Sequence, residues 1–399
     1  MKLPIELLLL LPAALSAPLA RRSATLPQLV GLTSNSRDLS TTDTRHPEKY
    51  FHESIYHPHY DGRFADAVLP KETRLFHMRL LLRSYMAAME RARVRTWVMH
   101  GSLLGWWWNQ GMFPWDSDLD FCVEQTGMAE LAGWWNMTVH SFTAEDLGIE
   151  DLKKEDIYAW DRRRRGSVTR EEQEVIHEPA GLEAGVWDKV MDEGKRYLLE
   201  VNPHYTDIST SDTHNVIDAR WIDTSTGLFI DITTIHPVPS SAETKSEEHQ
   251  IFLAQGGRQV QVDAAKEMYT KDTHLYTTSS LFPLRESRFE GTKIFVPYAY
   301  EQLLLEEYGP QALTETWFNS YEFDRESKEW NAAPEPSRGS KYRADRENAG
   351  ARYKKSGKKP KWKPVEGTES RVKDNAGDKA YTPSPGSTDD VHVVPGGAS

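Results

Sequence analysis

Three aspartates at alternate positions, Asp116, Asp118 and Asp120, are the residues of this chain whose type and spacing bear most directly on chemistry. Alternate residues of a strand project to the same face. The short apolar run around Leu119 and Phe121 would therefore present all three carboxylates together. Side-by-side carboxylates repel unless a cation sits between them. Two readings follow: a solvated edge turn with no ion, or a seat for a divalent metal. The upstream Gly101-Ser102 and the flanking apolar residues favour the second. Glycine lets the backbone approach a phosphate closely, the amides opening the next helix point at it, and the Ser102 hydroxyl adds a donor.

A further carboxylate, Asp231, stands inside the apolar run 228–232, where a lone charge is expensive. It either pairs with a buried arginine such as Arg220 or completes a metal site with Asp118 and Asp120. An all-oxygen ligand set favours Mg²⁺ or Mn²⁺. Such a cation would bridge the carboxylates and the phosphates of a nucleotide, offsetting charge that builds up during in-line attack at phosphorus. Asp231 is also placed to help deprotonate an incoming hydroxyl. Asp116 stands at the start of the strand beside Trp115. Asp118 and Asp120 are therefore read as the metal pair, with Asp116 in support.

The elements that must hold these groups can be read from periodicity. Leu75, Met78, Leu82, Tyr85, Met86 and Met89 recur at helical spacing. Trp97 to Met99 reads as a buried strand, ended by Gly101-Ser102, with a short helix over 103–108 and a break at 109–111. A helix is expected over 128–135. Strand character returns at 196–201, 216–222 and 228–235, the last two joined by the turn 223–227. Helix returns over 298–308. Trp106, Trp107 and Trp108 suit core packing of their short helix better than stacking on a sugar or base.

Composition sets the frame. The 399 residues allow one large domain or two ordinary ones, and the net charge of −12 argues against a nucleic-acid partner. Residues 1–17 read as a signal peptide or short signal-anchor, since the apolar run is shorter than the roughly 20 residues of a comfortable span. Arg21-Arg22 is either a dibasic processing site or an ordinary basic pair. Residues 18–50 are read as a flexible stem and 51–70 as an irregular arm. Within that arm His52, His57 and His59 are read as surface or packing residues. Cys122, the only cysteine, cannot form an internal disulfide and is read as buried packing. Asn136-Met137-Thr138 is a glycosylation sequon. Residues 141–195 form a charged insertion whose Arg162–Arg165 run is read as a solvated loop. Residues 331–399 lack apolar periodicity and are read as a disordered tail with a short basic patch over 354–363.

A Gly-Ser turn, an Asp-x-Asp strand and a third aspartate on a later strand together resemble the nucleotidyltransferase superfamily. Within it, Gly101-Ser102-Leu103-Leu104-Gly105 and Pro114-Trp115-Asp116-Ser117-Asp118-Leu119-Asp120 resemble the LicD/fukutin family. The likeness continues at Phe229-Ile230-Asp231-Ile232, Leu281-Phe282-Pro283-Leu284, Phe289-Glu290-Gly291, Val296-Pro297 and Tyr308-Gly309, and so runs from about 75 to 310. Trp106-Trp107-Trp108-Asn109 stands where many bacterial members carry basic residues, and resembles the fungal Mnn4-type branch.

The resemblance implies an α+β fold with a mixed sheet flanked by helices, spanning 71–330. It implies a metal-dependent transferase using Mg²⁺ or Mn²⁺, with Asp118, Asp120 and Asp231 as catalytic and metal-binding residues. Gly101, Ser102, Gly105 and Arg220 are then the nucleotide- and phosphate-binding set. The implied donor is a nucleotide sugar, GDP-mannose in the fungal branch. The implied acceptor is a glycan or glycoprotein, and the implied setting is the secretory lumen, in the Golgi, with secreted or membrane-anchored forms open. Some members of that branch are regarded as regulators of a partner transferase. Transfer of phosphocholine or a polyol phosphate, and plain Asp-x-Asp glycosyl transfer, are the remaining alternatives.

Overall fold

The computed structural model describes residues 24–41, 46, 48–149, 185–238, 254–255, 258–259 and 267–333. The expected signal sequence, the Arg162–Arg165 run and the basic patch lie outside the described residues, as does the tail beyond 333.

The apolar stripe beginning at Leu75 becomes helix α1, Lys71–Ala92, which buries Phe76, Leu80, Leu81 and Tyr85. Arg93 closes it in a left-handed conformation, φ 55°. Strand β1, Thr96–Val98, leads into helix α2, His100–Asn109, and then into strand β2, Leu119–Glu124. Helix α3 is Gln125–Glu130, and a π turn, Leu131–Trp135, extends it. The edges of the expected insertion are ordered into strand β3, Thr138–Phe142, and helix α4, Val186–Glu193. Next come β4, Lys195–Val201, β5, Ala219–Asp223, and β6, Phe229–Pro237. Strands β7, Glu267–Tyr269, and β8, Leu275–Thr277, precede the short helix α5, Thr278–Leu281. The hairpin β9, Arg285–Phe289, and β10, Thr292–Val296, is followed by helix α6, Tyr300–Tyr308. A meander of β11, Trp317–Phe318, β12, Tyr321–Asp324, and β13, Glu329–Ala332, ends the described chain.

The architecture is α+β around an eight-stranded mixed sheet. Its order is β1-β2-β6-β5-β4-β3, with β7 paired to β6 and β8 to β7. Among these pairings β2 and β6 run parallel and the others antiparallel. Register then decides the chemistry of each face. Asp120 lies opposite Asp231, Asp231 opposite Arg220, and Arg220 opposite Glu200. Directly opposed residues project to one face, so a row of charge crosses β2, β6, β5 and β4. The intervening residues Phe121, Ile230, Ile232, Trp221 and Leu199 are buried on the other face. There α1 covers them, with the Trp221 indole donating to Ser84 Oγ at 3.0 Å.

The charged face is covered by residues of the expected stem, Ala24, Leu29 and Tyr50, together with Asp61, Arg63 and Phe64 of the expected arm. Ala24, Leu29 and Phe64 pack on Leu198, Ile222 and Phe229. Arg63, Asp61 and Glu200, each no more than 3% exposed, form a buried clasp. Arg63 Nη2 donates to Asp61 Oδ2 at 2.5 Å and to Glu200 Oε2 at 2.6 Å, while Ala24 N and Tyr50 Oη donate to Glu200 Oε1 at 2.9 and 3.0 Å. A solvated stem needs no such contacts. Here the polar composition hides a few apolar anchors and one ion network. The arm also bridges β6 through Tyr60 and Leu228, and Asp61 N donates to Gly227 O at 2.8 Å. That approach requires glycine at 227: its φ is 76°, and a Cβ there would lie 2.6 Å from Ala65 Cβ.

Removing one member of a buried ion network leaves the others uncompensated. Arg63→Ala is therefore expected to cost about 3–5 kcal/mol. Breaking the less buried i,i+4 pair Lys49–Glu53, each side chain 25% exposed, with Lys49→Ala should cost only about 1 kcal/mol. Denaturant midpoints of the two variants check this. Acid stability gives a second test. Burial and the Lys195 charge hold His77 down at about 3, and burial and the Lys271 charge hold His236 down at about 4, against an ordinary 6.5. Both are neutral in the fold, so below pH 6.5 each binds its proton first in the unfolded chain, and the contribution of these two histidines to stability falls as pH drops. Relative to the parent, the melting temperature of His236→Leu should therefore rise progressively as pH falls from 6.5 towards 4.

Candidate active site

The carboxylates gather where α2 begins and β2 enters the sheet. Strand β2 starts at Leu119, so strand alternation accounts for Asp120 alone. Asp116 and Asp118 come from the irregular segment before it. That segment is fixed by Asp116 N donating to Phe113 O at 3.1 Å, by Ser117 N donating to Asp116 Oδ1 at 3.0 Å and by Trp115 stacking on Phe113. The side chains converge nonetheless. A Cβ built on Gly101 would lie 3.6 Å from Asp120 Oδ2 and 3.8 Å from Asp116 Oδ2. Both carboxylates thus reach over the Gly101 backbone, as close approach by a ligand would require.

Helix α2 begins earlier than its expected start at Leu103. His100 is its first residue, in a left-handed conformation of φ 50°, an uncommon one for a non-glycine residue. Ser102 is buried, and its Oγ accepts from Asp120 N at 2.8 Å. The hydroxyl therefore pins β2 to α2 and keeps its own proton to donate. Gly105 lies deeper in α2, where a Cβ would come 2.8 Å from Gly111 O, so its missing side chain admits the returning loop. Trp106 and Trp108 are packing residues whose indoles donate to Ser287 Oγ and Ala312 O, both at 2.9 Å.

Asp231 and Arg220 are an ion pair, with Arg220 Nε donating to Asp231 Oδ1 at 2.7 Å. The guanidinium lies between Phe229, 3.8 Å from the ring centre, and Phe51, 4.8 Å away. Its Nη1 is buried without a hydrogen-bond partner among the described residues. Arg220 thus has a structural partner in Asp231 and one donor nitrogen unspent. Asp231 keeps Oδ2 outside that bond.

Sequence reasoning missed His59. Its Nδ1 lies 3.2 Å from Asp118 Oδ1 and 2.9 Å from Ser117 Oγ. Ligand atoms of His59, Asp116 and Asp118 all fall within 4.8 Å of one another. Asp116 therefore stands inside the cluster, not beside it. No spacing rule links residue 59 to residue 118, so only the tertiary fold reveals this neighbour. On the other side of Asp120, His100 Nδ1 and Glu307 Oε1 are 2.8 Å apart. Burial opposes a charge on His100, but Glu307 and its neighbours hold its pKa well above the ordinary value.

The electrostatics of the cluster are those of crowded like charges. Burial, then the Asp120 charge, push Asp118 up to about 8. Burial, opposed by His100 and reinforced by Asp116 and Asp231, pushes Asp120 up to about 7. Burial and Asp118 raise Asp116 well above the carboxylate range. A divalent cation would reverse this crowding. The donor atoms of Asp116 and Asp118, with His59 alongside, lie close enough together to hold one, and Asp120 adjoins them across Gly101. A cavity lined by Arg95, Glu124, Phe282 and Phe295 shares no residue with the cluster.

A family model described as LicD/FKTN/FKRP, nucleotidyltransferase domain, matches residues 93–179. That span contains Gly101, Ser102 and the aspartates 116, 118 and 120; His59, Arg220 and Asp231 lie outside it. The chain is also 26% identical over 178 residues to Mannosyltransferase regulator 4 of Saccharomyces cerevisiae, across 44% of this chain and 11% of that protein. The chain thus covers a small part of that relative's length. At the coarse level these similarities support transferase chemistry on phosphate-linked groups.

The two glycines make a paired test. Gly105→Ala should overpack against Gly111 O and destabilise by about 1–3 kcal/mol. Gly101→Ala meets only ordinary contacts, so its stability should stay within about 0.5 kcal/mol of the parent. Its methyl group occupies the space over Asp116 and Asp120, and Mn²⁺ binding measured by calorimetry should weaken.

Proposed function

We propose that this protein transfers a phosphate-linked sugar from a nucleotide-activated donor to a glycan hydroxyl, with Asp116, Asp118 and Asp120 holding a divalent cation. The observation that carries this reading is the convergence of Asp116 and Asp120 over Gly101, with Asp118 grouped beside Asp116 and the Asp120–Asp231 pairing next to them. When bound, the cation supplies charge neutralisation at the donor phosphates. Gly101 leaves room for a phosphate oxygen at the start of α2, where the helix amides favour negative charge. The free Nη1 of Arg220 offers a further donor, and Asp231 stands between Arg220 and the carboxylate cluster.

The fungal resemblance favours GDP-mannose as donor. A glycan hydroxyl then attacks the phosphorus next to mannose, the new bond is a glycan–phosphate ester, and GMP leaves. Mg²⁺ or Mn²⁺ is the cofactor, and the lumen of the secretory pathway, in the Golgi, is the setting. A second reading, a regulator acting through a partner transferase, is favoured by the name of the yeast relative.

Purified protein with Mn²⁺, GDP-mannose and a mannan acceptor tests the first reading. Mannose phosphate on the glycan and GMP in solution are the expected products. Asp118→Asn and Asp120→Asn should each lower the rate by at least about 100-fold, the scale of losing a principal electrostatic group. A plain glycoside with GDP released would overturn the reading. Normal glycan phosphorylation in cells carrying either variant would favour the regulator.

A further inference from the structure

We propose that His59, delivered by the N-terminal arm, is a nitrogen ligand of the divalent cation in the carboxylate cluster and makes that site prefer Mn²⁺ to Mg²⁺. This rests on the reading that the cluster holds a divalent cation, and it goes further by naming a ligand outside the matched region and a metal preference.

The geometry carries the argument. His59 Nδ1 faces Asp118 Oδ1 at 3.2 Å, and its ligand atom lies within 4.8 Å of those of both Asp116 and Asp118. Its side chain is only 26% exposed. The ring is delivered from a fixed backbone. His59 N donates to His57 Nδ1 at 3.1 Å, the next residue Tyr60 bridges Leu228, and Asp61 N donates to Gly227 O. Two residues further on, Arg63 is locked to Asp61 and Glu200. Ligands held by packing and hydrogen bonds need little ordering when an ion arrives. Nδ1 rests against Ser117 Oγ at 2.9 Å and Asp118 Oδ1 at 3.2 Å, so the nitrogen is already turned towards the cluster.

The chemistry supplies the preference. Mg²⁺ takes oxygen ligands in a near-ideal octahedron and keeps several waters. Imidazole most suits the later first-row metals, and Mn²⁺, the first of that affinity series, still accepts a nitrogen ligand more readily than the hard Mg²⁺ ion. One histidine among carboxylates therefore tilts the site away from Mg²⁺. It also ties metal binding to the arm, because displacing residues 59–63 would withdraw the nitrogen.

Electron spin-echo spectroscopy of Mn²⁺ on the full chain tests this without any turnover. The expected result is a ¹⁴N modulation from a directly bound imidazole, replaced by the ¹⁵N pattern when the protein is grown on ¹⁵N-histidine. His59→Ala and His59→Gln should lose the modulation and bind Mn²⁺ about tenfold more weakly or worse, while Mg²⁺ affinity, read by competition, changes little. Melting curves without metal confirm that the variants fold. Mn²⁺ bound to the wild-type chain without nitrogen modulation, or modulation persisting in a folded His59 variant, overturns the ligand assignment alone. Failure of the wild-type chain to bind Mn²⁺ overturns the cation site itself, and the proposal with it.

Discussion

The parallel register of β2 on β6 is the constraint on which the rest depends. It sets Asp120 directly opposite Asp231, two like charges on adjacent strands of one sheet face. Such a pair is costly unless opposite charge is brought to it. The fold supplies that charge in one direction only. Asp231 is followed by Arg220, Arg220 by Glu200, Glu200 by Arg63 and Arg63 by Asp61, each positive group standing between negative ones. On the other side of Asp120 the alternation fails. Asp118 and Asp116 add negative charge, and His59 and His100 are the cationic-capable groups found there among the described residues. The candidate site is the end of the row where compensation runs out.

The arm is thereby part of the domain. The sheet face with the charged row also carries Leu198, Ile222 and Phe229, which would be wet without Ala24, Leu29 and Phe64 over them. A segment that shields these residues, contributes the clasp to Glu200 and places Phe51 on Arg220 does three physical jobs at once. It also brings His59 to the cluster. Stability of the arm and completeness of the site are consequently one property.

Much of the frame was legible in the sequence because it rests on local periodicity. The stripe of α1, the hairpin turn at 223–227 and the apolar run of β6 each announce themselves within a window of about 15 residues. The carboxylates were legible as a group, but for a partly mistaken reason. Strand alternation holds for Asp120, whereas Asp116 and Asp118 are aimed by the Phe113–Trp115 turn, whose geometry depends on ring stacking. Asp231 had two readings, and the structure shows its pairing with Arg220 while leaving an oxygen over. At Gly105 the structure adds a packing reason for glycine that a motif position does not reveal, the close approach of Gly111 O. His59 and the clasp were illegible, since they join residues separated by 58 and 137 positions. Polar composition over 18–50 concealed the few anchors that order part of it.

Free energy also bears on the choice between an enzyme and a recruiting partner. Asp116, Asp118 and Asp120 are held together against their own repulsion, with pKa values driven upward by burial and by one another. Asparagine at these positions would keep the size and most hydrogen bonds of aspartate without that cost. A surface used only to dock another protein gains nothing from buried like charges beneath Gly101. A cation seat gains directly, because each added carboxylate raises its affinity for a divalent ion. Without an ion, the raised pKa values mean that protons relieve the crowding, and a divalent cation would take their place. The same carboxylate cluster stands in the chain whether the enzyme or the regulator reading proposed above holds.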